Sequence, residues 1–129
     1  MTLVDSSVWI AYLRNHETPA TGMLSALAAE RMILVGDIIM LEVLRGARDD
    51  RHAPWLEARM RRYDVVSLLD DGLAARAAMN FRRLRALGIT ICKTADLIIG
   101  TYCIEYNHAL LHDDRDFTPM VEHLGLRVV

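Results

Sequence analysis

Five short apolar runs recur along the chain, at residues 2–5, 32–35, 65–69, 109–111 and 126–129, and helical periodicity fills the segments between them. Strands that alternate with helices call for a parallel sheet covered on both faces and joined by right-handed crossovers. The expected architecture is therefore α/β. The chain's 129 residues suit one buried core, and no Ser/Gly/Pro-rich spacer divides them, so residues 1–129 read as a single domain.

The helical segments carry their own punctuation. Residues 7–13 present Val8, Trp9, Tyr12 and Leu13 as an apolar stripe, and residues 21–30 present Leu24, Leu27 and Ala28. Asp37 is placed to cap a helix carrying Ile38, Met40, Leu41, Val43 and Leu44; the next helix follows the turn-rich RDDRHAP and ends near Arg62. Asp70 and Asp71 open a longer helix whose face, Leu73, Ala77, Phe81, Leu84 and Leu87, runs down to Gly88. Thr94 reads as the N-cap of a helix through about Tyr106.

Net charge is only −2, but it is unevenly spread. Residues 45–93 hold 11 basic and 6 acidic side chains, and the remaining segments hold 4 and 11. Arginines in the middle and acids towards both ends suit a polyanion held over an acidic, metal-loaded pocket, although solvated helices give the same pattern. Arg82, Arg83 and Arg85 lie largely off the apolar stripe of their helix, as a solvated face or as phosphate contacts. With 53% hydrophobic residues the chain is slightly richer than an ordinary domain, which agrees with a surface covered by a partner. No apolar stretch approaches the roughly 20 residues that span a bilayer and no leader precedes the first strand, so a cytoplasmic protein is expected. Cys92 and Cys103 lack CxxC spacing and read as buried, reduced thiols.

Four acids stand where such a fold directs chemistry. Asp5 ends the first apolar run and Asp114 closely follows the fourth, while Glu42 and Asp96 lie near helix starts. In open α/β sheets the strand ends at the carboxyl edge face the ligand crevice. Each acid alone has an ordinary explanation: a cap for Asp5, a first-turn acid for Asp96, a turn for Asp114 and a surface position for Glu42. Together they require compensation, because clustered carboxylates do not all remain ionised without a counter-charge. A hard divalent cation with oxygen ligands, Mg²⁺ or Mn²⁺, supplies it. Zinc would want nitrogen or sulfur, and His16, His52, His108, His112 and His123 show no ligand spacing; only His112 adjoins the acids. The absence of GxxxxGK[ST], GxGxxG and GxSxG speaks against nucleotide binding, dinucleotide binding and serine hydrolysis. Metal-assisted hydrolysis remains.

The segments LVDSSVWI, IIMLEVLRG, TADLIIG and LLHDDRDF, in this order and spacing, resemble the four signature blocks of PIN-domain ribonucleases of the VapC toxin type. The resemblance implies a PIN-like three-layer α/β/α sandwich around a five-stranded parallel sheet of order 3-2-1-4-5. It also implies a metal-dependent endoribonuclease in which Asp5, Glu42, Asp96, Asp114 and Asp116 match the family's acids. Asp5, Asp96 and Asp114 would hold one or two Mg²⁺ or Mn²⁺ ions, with Glu42 and Asp116 acting through water or at a second ion. Asp113 is an extra acid able to replace Asp114, and Ser7 matches a hydroxyl that bonds within the site. A VapB-like antitoxin covering the acidic crevice and a toxin homodimer are the implied partners. Water would be the nucleophile, leaving 5′-phosphate and 3′-hydroxyl ends. Two other readings differ in class. A PIN fold kept as a silent binding module conflicts with the complete acid set; a receiver-like regulatory domain needs a lysine after a strand, whereas Lys93 precedes a helix.

Overall fold

In the computed structural model, which describes residues 1–129, the three residues of β1 (Thr2–Val4) are buried and flanked on both sides by parallel strands. That environment explains why the run is apolar throughout rather than alternating. Strand β2 (Ile33–Gly36) pairs on one side, with Thr2 opposite Ile33, and β4 (Ala109–Leu111) on the other, with Val4 opposite Leu111. Strand β3 (Asp64–Val66) pairs outside β2, giving the order β3-β2-β1-β4.

Between β1 and β2 run α1 (Ser6–Leu13) and α2 (Pro19–Ala29); between β2 and β3 run α3 (Asp37–Arg45) and α4 (His52–Met60). The chain then returns across the sheet through α5 (Asp71–Ala86) and α6 (Thr94–Glu105) to β4, and α7 (Thr118–Leu124) follows. Successive right-handed crossovers that advance one way along a sheet put their helices on one face, and the reversed crossover puts α5 and α6 on the other. Contacts agree: α1 packs on α2 and α3, and α3 on α4, while α5 packs on α6 and α7. One cluster fills the space between, including Leu3, Val4, Trp9, Ile39, Leu84, Ile99, Leu110 and Phe117.

Helix α6 is buried without interruption from Asp96 to Cys103. An apolar sequence with no polar face is what a helix enclosed by its neighbours requires. Gly100 faces Met120 so closely that an added Cβ would lie 2.5 Å from its thioether.

The boundaries correct several expectations. The third strand ends at Val66 rather than Leu69, because the chain turns inward to bury Leu68 and to let its N–H donate to Asp37 Oδ1 at 3.1 Å. Asp37 is accordingly the first residue of α3, and Gly36 holds the cap position. Lys93, in extended conformation, is the N-cap of α6 in place of Thr94. Thr18 caps α2 in a reciprocal box with Thr21, so this helix starts earlier than its apolar stripe. At the C-terminus a left-handed Gly125 (φ 78°) turns Leu126 into the core, and the tail meets β4 through a single parallel bridge, Leu110 to Val128, instead of a full fifth strand. Cys92 is exposed; Cys103 is buried as expected, and burial pushes its thiol up to about 12.

Candidate active site

The site forms where the sheet changes direction. Strand β1 leads to one side of the sheet and β4 returns on the other, so the carboxyl ends of these neighbours border the crevice of the switch point. Asp5 leaves β1 there, and its backbone N–H donates to Leu111 O at 2.9 Å, fastening the two strand ends together. As the N-cap of α1, Asp5 accepts from Ser7 N at 3.3 Å and from Ser7 Oγ at 2.7 Å, both at Oδ2. Local capping therefore fixes the direction of a buried carboxylate.

After β4 the chain makes a tight polar turn. Asp114 N donates to His112 Nδ1 at 3.1 Å, and Asp116 N donates to Asp114 Oδ1 at 2.9 Å as Arg115–Phe117 coil into one 3-10 turn. The His112 ring lies against buried Phe117, with centroids 4.9 Å apart. His112 thus shapes the loop that aims the acids. Asp113 points elsewhere: it is exposed and lines a shallow depression with Pro19, Met23 and Val129.

Asp96, in the first turn of α6, completes the inner wall. Carboxylate oxygens of Asp96, Asp114 and Asp116 lie within 4.8 Å of one another. Asp96 is only 5% exposed and its Oδ2 has no hydrogen-bond partner. Burial first, then repulsion from Asp5 and Asp114, pushes its pKa up to about 6. Glu42, in the second turn of α3, has a buried and unpartnered Oε1, with Arg45 at 4.0 Å from its other oxygen. Its pKa is raised by burial and then by Asp5, against smaller lowering by the Ser6 hydroxyl, Arg45 and Lys93.

Two buried carboxylate oxygens left without partners are costly unless something else meets them. The donor set is oxygen only, which suits a hard divalent cation and offers zinc none of its preferred nitrogen or sulfur. Of the five acids singled out in the sequence, Asp96, Asp114 and Asp116 form the close group, and repulsion couples Asp5 to both Glu42 and Asp96. Arg82, Arg83 and Arg85 are not brought there by any ion pair; they remain exposed on α5, where Arg85 lies over the Phe81 ring.

Sequence reasoning passed over Lys93 as a site residue. Its Nζ lies 3.6 Å from Asp114 Oδ2 and 3.5 Å from Asp116 Oδ2, and attraction to Asp114, Asp96 and Asp116 raises its pKa. Its position one turn before Asp96 in KTAD was the available signal.

A parallel α/β sheet with an acid cluster at its switch point places an oxygen-only donor set where such folds bind their ligands. A family model described as PIN domain matches residues 2–121, and the chain belongs to that family. Among its relatives, ribonuclease VapC11 of Mycobacterium tuberculosis is 30% identical over 125 residues, an alignment covering 91% of this chain and 89% of the relative. A VapC ribonuclease of Mycobacterium bovis matches to the same extent. Among solved structures, the VapBC2 complex of Rickettsia felis bound to promoter DNA superposes with a TM-score of 0.80 at 14% identity, covering 99% of this chain and 96% of that one. FitAcB of Neisseria gonorrhoeae gives 0.75 at 18%, with 99% and 96% covered. At such identities the structural likeness speaks for the fold.

Proposed function

We propose that the protein is the endoribonuclease toxin of a toxin–antitoxin pair, cleaving RNA in the cytoplasm with water as nucleophile. One observation carries the reading: carboxylate oxygens of Asp96, Asp114 and Asp116 lie within 4.8 Å of one another, Asp5 is near enough to repel both Asp96 and Glu42, and buried oxygens of Asp96 and Glu42 are unpartnered. The named relatives, both VapC ribonucleases, support the substrate class.

Asp5, Asp96 and Asp114 would hold Mg²⁺ or Mn²⁺, with Glu42 and Asp116 orienting its water shell or completing a second site. When bound, such a cation supplies activation of water and neutralisation of charge on the phosphoryl oxygens. The chain's own contribution is orientation. Ser7 holds the Asp5 carboxylate through two hydrogen bonds, and His112 sets the loop that presents Asp114 and Asp116. Arg82, Arg83 and Arg85 are available for phosphate contacts along α5 without reading sequence. Water attack leaves a 5′-phosphate and a 3′-hydroxyl.

The partner is a VapB-like antitoxin whose chain crosses the crevice and presents an arginine to the carboxylates, a guanidinium standing in for the cation. The toxin itself pairs as a homodimer. Mapping cleavage sites on total RNA tests the activity, using the native protein and Asp96→Asn with Mg²⁺, Mn²⁺ or chelator. The reading expects discrete cuts with 5′-phosphate ends, lost on chelation and in the variant. Cyclic 2′,3′-phosphate ends, or cleavage that persists in EDTA, would overturn it.

A further inference from the structure

Lys93 is the only lysine in the chain, and the fold places it where the carboxylates are densest. It serves α6 through its backbone, its carbonyl accepting from Leu97 N at 3.3 Å, and gives no side-chain cap. The side chain extends over the cleft, where its Nζ lies within ion-pair distance of Asp114 and Asp116 together.

Positive charge around the rim is consequently uneven. The outer pair, Asp114 and Asp116, has the ammonium; Glu42 has Arg45 at 4.0 Å. The inner pair has no cation within ion-pair distance: Asp5 is held by Ser7 alone, and Asp96 Oδ2 meets nothing. A divalent ion is therefore wanted at the inner end and already has a competitor at the outer one.

We propose that Lys93 occupies the place of a second divalent cation, so that the cleft takes one ion, shared by Asp5, Asp96 and Asp114, beside a tethered ammonium. The proposal rests on reading the acids as a cation cage. Paired catalytic ions sit about 3.5 to 4 Å apart. The Lys93 ammonium, 3.5 Å from Asp116 Oδ2 and 3.6 Å from Asp114 Oδ2, places its charge between the two outer carboxylates, beside any ion that Asp114 would share with Asp96. A second ion would have to displace Lys93 from both outer carboxylates and accept its repulsion. Lys93 is on this account a positioning residue that sets ion number. An ammonium donates hydrogen bonds but has no ligand positions to offer water or phosphate.

Electron paramagnetic resonance of Mn²⁺ titrated into the intact, RNA-free protein tests this directly, since it counts bound ions and reports whether two are coupled. The native chain and Lys93→Arg, which keeps charge and reach, should each bind one ion with an isolated six-line signal. Lys93→Met should bind two, with the broadened signal of ions about 3.5 to 4 Å apart. The side chain is 62% exposed, so folding is not at stake; Lys93→Gln serves as a second variant and should behave like Lys93→Met. Two ions on the native chain or on Lys93→Arg, or a single ion on Lys93→Met and Lys93→Gln, would overturn this inference while leaving the cage intact. No bound Mn²⁺ on any of the proteins would overturn both.

Discussion

Burial of Asp96 at 5% exposure, facing Asp5 and Asp114, sets folding of the empty site against its use. The carboxyl has a pKa of 3.8 as an unhindered group and about 6 in the fold, so the folded state binds its proton more tightly than the unfolded one. The resulting stabilisation is fully present below pH 3.8 and is lost as pH rises through about 6. Roughly two pKa units correspond to about 3 kcal/mol at most. In EDTA, the urea midpoint should fall between pH 5 and pH 7.5, and Asp96→Asn should flatten that fall while raising the midpoint at pH 7.5. A pH-independent midpoint would show that the carboxyl is hydrated. The same variant should lose RNA cleavage on the order of a hundredfold or more, since even outer-sphere partners of a metal cost about 10- to 100-fold when removed. The two cysteines offer a separate check on burial: a thiol reagent should modify Cys92 in the native protein and Cys103 only after unfolding.

At the scale of elements, the functional helix is held by polar as well as apolar contacts. Between α5 and α6, buried Asn80 donates from Nδ2 to Thr101 Oγ1 at 3.1 Å, the one side-chain hydrogen bond joining these helices in the core. Thr101→Val keeps the volume but strands the amide, at an expected cost of about 1 to 3 kcal/mol in urea unfolding. Loss of both partners in Asn80→Leu with Thr101→Val should cost less than their separate effects added, because no buried donor is then left over. Elements were legible in the sequence where one period dominated. The runs LVD and ALL gave their strands within a residue, and Leu73, Ala77 and Leu84 are buried on α5 as read, whereas Leu87 at its end is exposed and Asn80 is buried instead. Legibility failed where tertiary contact decided the boundary. Nothing local says that Leu68 turns inward to meet Asp37, or that Gly125 leaves the tail only one bridge to β4. Lys93 was missed for a related reason: its significance lies in two acids more than twenty residues further along the chain.

For the whole molecule, Asp5 and Asp114 were legible because they follow strands that the fold class delivers to a single edge, and Asp96 because it lies in the first turn of a helix that starts there. Side-chain direction was not. Asp113 and Asp114 are neighbours in sequence, yet the hydrogen bonds of His112 and Asp116 select Asp114 for the cluster. A molecule that concentrates charge in this way should respond to a cationic partner. The cognate antitoxin should abolish RNA cleavage at equimolar ratio, and changing the arginine proposed to enter the crevice to alanine should restore activity with less effect on binding. Exposed Leu41 and Trp55, 62% and 48% accessible, are apolar surface on α3 and α4 for such a partner to cover.

The central claim, that carboxyl groups from four parts of the chain build one cation cage, is tested most directly by anomalous diffraction from crystals of the protein grown with Mn²⁺. The account predicts a peak at the ends of β1 and β4, about 2.0 to 2.6 Å from carboxylate oxygens that include Asp5, Asp96 and Asp114. A saturated crystal with no peak in the crevice, or with Mn²⁺ bound only at other acids, would contradict it.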